Sequence, residues 1–362
     1  MKLSSGNIIL VPFSIVYGWV MAIRNFFFDT GILPSKQYGI STICVGNLAA
    51  GGTGKTPHVE YLLSLFKKDF RTAVLSRGYM RKTSGFILAA ENTNSRLIGD
   101  EPFQIFSKFP DVTVAVDEKR VNGINKLLKL IPGLNLIILD DAYQHRFVQP
   151  GLSILLTDYS NLYINDLILP AGTLRESRKG SKRADIIMVT KCPEKISPIE
   201  MRLIEEQLKP ESHQSVFFST YEYSDIEPVF GSDETSALNL EKIKAENVEI
   251  LLVTGIAKPD LIAGFLKNFS QHIESLFFAD HHNFSTKDIK TVKTRFEQMK
   301  SGNGIVIVTE KDAARITSQP DEWQAIKHKL YKLPVKVKLL NNKENIFKTK
   351  IYNYVTENSR NS

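Results

Sequence analysis

From Gln37 onward, short apolar runs alternate with amphipathic stretches. That alternation predicts a mainly parallel sheet with helices on both faces, an α/β fold. The strand-length runs are Ile40 to Val45, Thr72 to Ser76, Val112 to Val116, Leu134 to Leu139, Ser153 to Thr157 and Ile186 to Val189. Helical spacing falls on His58 to Phe66, Arg120 to Leu130 and Pro198 to Leu208. Ser215 to Phe230, rich in Phe, Tyr and Val, reads as extended chain joining two halves. A second series follows from Val248, with runs at Ile250 to Thr254, Leu276 to Phe278, Ile305 to Thr309 and Val335 to Leu339. The expected plan is an apolar helix at 1–34, a larger unit at 35–214, a linker at 215–230, a smaller α/β unit at 231–352 and a frayed polar tail at 353–362. No internal repeat or low-complexity tract interrupts it.

Ile8 to Ile23 carries 13 apolar residues in 16 positions. A helix of that length spans about 24 Å, short of the roughly 30 Å hydrocarbon core. No small-residue cleavage site follows, which disfavours a secretory signal. Tyr17, Trp19 and Phe26 to Phe28 suit a headgroup boundary, and Lys2, Arg24 and Lys36 suit anionic headgroups. The expectation is a helix dipping into one leaflet or lying on it; a buried core helix is the alternative.

The 362 residues are 43% hydrophobic and 23% charged, which excludes a disordered chain and a multi-span membrane protein. Lys and Arg number 46 against 39 Asp and Glu, a net +7, so an anionic partner is expected. Cys44 and Cys192 stand far apart and make neither a zinc-type pair nor a disulfide framework, pointing to a reducing compartment.

The strongest chemical signal runs from Cys44 to Pro57, CVGNLAAGGTGKTP. An apolar strand enters a glycine-rich turn and an amphipathic helix leaves it. Such a turn lets successive backbone N–H groups of Gly51, Gly52, Thr53 and Gly54 point at phosphate oxygens. Lys55 would reach the β and γ phosphates and the Thr56 hydroxyl would ligate Mg²⁺. Pro57 is tolerated because first-turn amides have no helical partner, and the helix dipole favours the anion. Ala49 stands where the general P-loop pattern has its first glycine. An acidic metal partner follows at Leu136-Ile137-Ile138-Leu139-Asp140-Asp141, where carboxylates end an apolar strand. Either Asp140 or Asp141 serves. The fold expected is P-loop NTPase-like, with ligands at the carboxyl ends of the strands.

Asp140-Asp141-Ala142-Tyr143-Gln144-His145-Arg146, together with the P-loop, resembles the tetraacyldisaccharide 4′-kinase (lipid A 4′-kinase) family. Further blocks agree in order: Ser76-Arg77-Gly78-Tyr79, Gly99-Asp100-Glu101-Pro102, Ala171 to Glu176, Thr190-Lys191, Gly255 to Pro259, Asp280-His281-His282 and Thr309 to Ala313. Ala142 and Met80 stand where such proteins often carry glycine, and Ser177 where proline is common. The resemblance implies an enzyme at the cytoplasmic face of the bacterial inner membrane. It would transfer the γ-phosphate of ATP to the 4′-hydroxyl of a tetraacylated glucosamine disaccharide 1-phosphate. It further implies Asp100 as base assisted by His281, with Gln144 and His145 organising metal and phosphates. Acceptor-side candidates are Arg77, Tyr79, Arg120, Arg175 and Glu176.

Residues 175–183 hold five bases and one acid, so more than half of the net charge sits there. That run reads either as a solvated loop or as a contact for the acceptor's 1-phosphate or anionic headgroups. Nucleic acid is disfavoured, since no helix-turn-helix, RNP-type or zinc-finger pattern accompanies the charge. No obligate protein partner is inferred. The competing function is a P-loop switch or partitioning-type ATPase, which needs no acceptor-side base. A soluble small-molecule kinase leaves residues 8–28 unexplained.

Overall fold

The computed structural model of the chain describes residues 5–231, 237–299 and 302–360. Helix α1 (Ser5–Asp29) leads into β1 (Ser41–Asn47), α2 (Lys55–Phe66), β2 (Thr72–Ser76) and β3 (Ile87–Leu88). Then come α3 (Ser95–Ile98), α4 (Asp100–Lys108), β4 (Thr113–Val116), α5 (Arg120–Leu130), β5 (Leu136–Asp140) and β6 (Leu152–Asp158). After β7 (Ile186–Thr190), α6 (Pro198–Leu208) and β8 (Ser215–Tyr223), the chain reaches β9 (Glu227–Pro228) in a second sheet. That half holds α7 (Leu240–Ala245), β10 (Glu249–Thr254), α8 (Asp260–Leu266), β11 (Ile273–Phe277) and α9 (Thr286–Glu297). It continues through β12 (Gly304–Thr309), α10 (Glu310–Ile316) and β13 (Leu330–Leu333), before β14 (Val335–Leu339) and α11 (Glu344–Arg360).

The larger sheet runs β14-β8-β7-β6-β1-β5-β2-β4-β3, parallel except at its two edges. Its central strands are buried along their whole length, which is why they read as unbroken apolar runs rather than alternating ones. Alternation survives in which face each side chain meets. Ile43 and Val45 pack with Leu62, Phe66, Ile105 and Phe347 of α2, α4 and α11. Cys44 points the other way, toward Ile124 and Leu127 of α5 and Ile204 of α6. Each such fully buried aliphatic side chain contributes about 2 kcal/mol of hydrophobic stabilisation. The smaller sheet, β11-β10-β12-β13-β9, is built the same way, with β9 antiparallel at its edge.

Three expectations change. Residues 215–223 are not a free linker: β8 pairs in parallel with β7 and antiparallel with β14. Val335 to Leu339 belongs to the larger sheet, Val335 lying opposite Tyr223 and Leu339 opposite Ser219. Pro334 separates β13 from β14 and has no N–H for a ladder, so consecutive strands part into different sheets there. The two halves are thus joined by two adjacent crossings. The polar tail is also helical as far as Arg360: Phe347, Ile351 and Val355 of α11 are buried on the larger sheet, which holds its final turns in place.

Helix α1 is longer than the 16-residue run, 25 residues or about 37 Å at 1.5 Å per residue. Ile9–Asp29 is long and apolar enough to cross a membrane by length and composition alone. One strip of it is bound to the larger half. Ser14 Oγ accepts from the Ala171 amide, Tyr17 Oη donates to the Arg175 carbonyl, and Asn25 Nδ2 donates to Glu176. The opposite strip, with Phe13, Val16, Trp19, Val20 and Ile23, is exposed. Lys2 lies outside the described residues.

Candidate active site

The glycine-rich loop sits between β1 and α2, at the carboxyl edge of the larger sheet. Gly51 and Gly54 take φ of +119° and +90°, a region costly to any side chain. Gly54 is doubly constrained, because a Cβ there would lie 2.2 Å from the Tyr221 hydroxyl. Ala49 is not among the positive-φ residues, so its methyl causes no strain and the missing glycine is explained. The loop is braced by its neighbours. Asn47 Nδ2 donates to Thr53 Oγ1 at 2.8 Å, Ala50 N donates to the Thr173 carbonyl, and Arg175 N donates to the Leu48 carbonyl. Gly54 caps α2 without a side-chain bond, leaving first-turn amides for an anion.

His58 holds this loop from beneath. Its Nδ1 lies 2.7 Å from the Gly54 carbonyl, which can only accept, so Nδ1 carries the proton and Nε2 accepts from Ser219 Oγ at 2.9 Å. Burial pushes the imidazole down to about 4. The unfolded chain therefore binds the extra proton between about pH 6.5 and 4, and stability falls as pH drops through that window. About 3 kcal/mol of stability should be lost there through this one group. Asp140 and Glu60 shift in the opposite sense, so the measurement is a difference: urea unfolding of wild type and His58→Gln at pH 7 and pH 4.5. The glutamine variant should show the smaller loss. Parallel curves would show that His58 does not titrate on unfolding.

The two acids after the fourth buried apolar residue of β5 take different environments. Asp140 is fully buried. Its Oδ2 accepts from Ser76 Oγ at 3.1 Å, while Oδ1 has no partner. Burial, then the nearby Glu101 and Asp141 charges, push its carboxyl up. Asp141 takes φ +46° and lies 3.6 Å from Lys55 Nζ and 3.2 Å from Arg175. Burial opposes its ionisation, but Lys55 and Arg175 outweigh it and hold the carboxyl below its usual range. Thr56 is buried at the start of α2. Gln144 donates to the Asn47 carbonyl at 2.7 Å and to Glu176, bracing the loop. His145 turns its Nε2 to the Glu118 carbonyl at 2.8 Å, and the lone pair of its buried Nδ1 has no partner. Among the described residues no group of three His, Cys, Asp or Glu side chains is arranged to hold a metal ion.

Two expected acceptor contacts are corrected. The Arg120 guanidinium is fully buried and donates to the Asp117 and Asp140 carbonyls, supporting the acid-bearing turn from behind. Glu176 is 1% exposed and accepts from Asn25, Gln144 and Arg183. Arg77 and Tyr79 remain exposed beyond β2. Three of the five bases of the run are paired with carboxylates, Arg175 with Asp141, Lys182 with Glu211 and Arg183 with Glu176, while Arg178 donates to the Asp166 carbonyl.

Asp100 and His281 meet across the two halves, His281 Nδ1 lying 3.7 Å from Asp100 Oδ2. Asp100 opens α4 after Gly99, whose φ is +93°. Its Oδ2 also accepts from Arg315 Nε at 2.7 Å. Burial works against the charge, but His281 and Arg315 hold the carboxyl below its ordinary range. Lys311 Nζ lies 3.0 Å from His281 Nε2. An ammonium only donates, so Nε2 is the bare nitrogen and Nδ1–H faces Asp100. Tyr79 packs edge-on against the ring, centroids 5.3 Å apart. The adjacent His282 is committed elsewhere, with Nε2 on Asp288 at 3.0 Å and its ring stacked on Phe278.

Sequence reasoning assigned no role to Arg315, Lys311, Lys191, Lys258 or Asp158. Lys191 donates to the Gly52 carbonyl and, at 3.0 Å, to Asp158, while Lys258 of the second half reaches the same carboxylate at 3.0 Å. Lys191, Lys258 and Lys311 stood inside blocks already noted, which was the available signal.

A glycine-rich loop between strand and helix, a buried acid at the end of the neighbouring strand and a carboxylate–imidazole pair joining the two halves fit a nucleoside-triphosphate-dependent phosphotransferase. The chain belongs to the tetraacyldisaccharide-1-P 4′-kinase family, which matches residues 6–355. It is 47% identical over 358 residues to the tetraacyldisaccharide 4′-kinase of Bacteroides thetaiotaomicron, covering 98% of this chain and 94% of that one. The Phocaeicola vulgatus tetraacyldisaccharide 4′-kinase is 44% identical, with 99% of each chain covered. The crystal structure of the "apo" form of LpxK from Aquifex aeolicus in complex with ATP superposes with a TM-score of 0.74 at 27% identity. That match covers 96% of this chain and 99% of the other.

Proposed function

We infer that the chain transfers the γ-phosphate of ATP to the 4′-hydroxyl of a tetraacylated glucosamine disaccharide 1-phosphate, with Asp100 taking the hydroxyl proton. The meeting of Asp100 and His281 opposite the P-loop carries this reading, because a switch or partitioning ATPase needs no such pair. Asp100 Oδ2 faces Arg315 and His281, leaving Oδ1 for the acceptor. Arg315 keeps the carboxylate oriented, His281 turns Nδ1–H toward it at 3.7 Å, short of a hydrogen bond until the two approach, and Lys311 fixes that tautomer. Lys55 and the loop amides would hold the triphosphate, and Arg175 stands beside them to meet charge developing on the transferred group. Arg77 and Tyr79, exposed beyond β2, would contact the acceptor.

A nucleotide-bound Mg²⁺ fits the residues present: Asp140 offers a buried, unpartnered carboxylate oxygen and Thr56 a hydroxyl at the loop's end. Magnesium bound with a nucleotide takes most of its oxygens from phosphates and water, so no three-carboxylate cage is needed. It would neutralise phosphate charge. Incubating the purified protein with labelled ATP and tetraacyldisaccharide 1-phosphate should label the lipid. ATP hydrolysis without labelled lipid would favour the switch ATPase.

The reaction belongs at a membrane surface, on the cytoplasmic face of the bacterial inner membrane. Hydrogen bonds spread from Ser14 to Asn25 keep α1 flat against the larger half, which favours a helix sunk in one leaflet over a spanning one. A charge placed in hydrocarbon costs about 3 kcal/mol. Phe13→Asp with Val20→Asp should therefore cut the fraction pelleting with anionic vesicles at least tenfold. Unchanged pelleting would mean that this face does not enter the bilayer.

A further inference from the structure

Away from the reacting groups, three ionisable side chains meet at one buried point between the halves. Lys108 Nζ lies 2.6 Å from Glu60 Oε2 and 2.7 Å from Glu310 Oε1. Both glutamates are almost fully buried. Each is completed on its second oxygen: Gln104 Nε2 donates to Glu60 Oε1 at 2.7 Å, and the Val335 amide donates to Glu310 Oε2 at 3.1 Å. A network satisfied in this way is rigid, and loss of one member leaves buried charge uncompensated.

The elements joined there are those that carry the site. Glu60 lies on α2, which begins with Lys55 and Thr56. Lys108 ends α4, which begins with Asp100 and Glu101. Glu310 begins α10, which carries Lys311 against His281 and Arg315 against Asp100. Val335 begins β14, one of the two crossings between halves. A shift of α10 against α4 would move Arg315 and Lys311 together, and with them the Asp100–His281 alignment.

We propose that Lys108 is a positioning residue, clamping α2, α4 and α10 through Glu60 and Glu310 so that the P-loop, Asp100 and His281 are held in register. The proposal rests on the reading of Asp100 and His281 as the proton-handling pair. It predicts that the clamp governs turnover rather than nucleotide affinity, because α2 keeps its own packing on the larger sheet.

The test uses the full-length protein with Leu130→Cys and Thr294→Cys, two exposed positions on opposite halves, spin-labelled while Cys44 and Cys192 stay buried. Lys108→Met and the near-isosteric Glu310→Gln are compared with the labelled parent. Lys108→Met should broaden the inter-label distance and lower kcat about 10- to 100-fold, with KM for ATP within threefold. Lys108→Arg should restore most of the turnover. Glu310→Gln keeps the acceptor for Val335 and the Lys108–Glu60 pair, so it decides the matter if Lys108→Met does not fold; it should lower kcat several-fold with the same split. An unchanged distance distribution and unchanged kcat in the folded variants would overturn the clamp. A broadened distribution with parental kcat would overturn the catalytic reading of Asp100–His281 instead.

Discussion

Asp100→Asn should turn over the lipid acceptor about 10²- to 10⁴-fold more slowly than wild type, while binding ATP with unchanged affinity. The substitution keeps the shape of the side chain and removes its charge, so the loss measures proton acceptance and orientation of the hydroxyl. The fold should survive it. Arg315, which loses half of an ion pair, still donates to Asp312 at 2.9 Å and to the Gly255 carbonyl, and Asp312 is itself bonded by Thr254 and Thr309. ATP affinity should not change because the P-loop and Lys55 make no contact with Asp100. Since His281 and Arg315 hold the Asp100 carboxyl below its ordinary range, wild-type turnover should not decline through this group on acidification until the pH has passed below the usual aspartate range. Rates from labelled phosphate transfer, ATP binding by equilibrium titration and melting by circular dichroism separate the three quantities. Turnover within threefold of wild type would remove Asp100 from the chemistry.

His281→Asn belongs to the same test, and it shows where sequence reasoning stops. Two adjacent histidines in Asp280-His281-His282 offer the same side chain twice, and nothing local distinguishes them. The choice is made by tertiary structure: His282 closes on Asp288, which also completes the N-terminal capping box of α9 with Ser285. His281, at φ +59°, is turned toward α4. The P-loop and the Asp140-Asp141 pair were legible because strand, turn and helix follow one another directly, so spacing alone implies geometry. Arg120 was misplaced for the opposite reason. A basic residue at a helix start reads as exposed, and only the packing of α5 under the acid-bearing turn shows that its charge is buried beside Asp140. The same limit hid the second crossing: β14 has the alternation of any strand, and its partner β8 lies more than a hundred residues earlier. Arg315 was missed because a helical arginine has no spacing signal, yet it is what joins Asp100 to the second half.

Lys55→Met should abolish transfer, lowering kcat/KM for ATP by about 10³-fold or more. Its effect should differ in kind from that at Asp100. The Lys55 side chain is 11% exposed and stands at the first turn of α2, where the backbone amides and its ammonium converge on the same anion. Methionine matches the stem and removes only the charge, so the packing of α2 against the sheet is kept. Two consequences follow together. The triphosphate loses a cation whose pull strengthens as charge moves onto the leaving group, and Asp141 loses the largest of the cationic influences that hold it ionised, leaving Arg175 in contact and the buried Arg120 behind it. Asp141 would then be free to draw Arg175 fully onto itself and away from the phosphates, so ATP affinity and kcat should both fall. Lys55→Arg should not rescue the loss, because a planar guanidinium cannot replace a compact ammonium in a pocket bounded by Asp141 and the loop. Single-turnover transfer and ATP titration on the same preparation provide the check. If Lys55→Met transferred phosphate within tenfold of wild type, the glycine-rich loop would not be the triphosphate site.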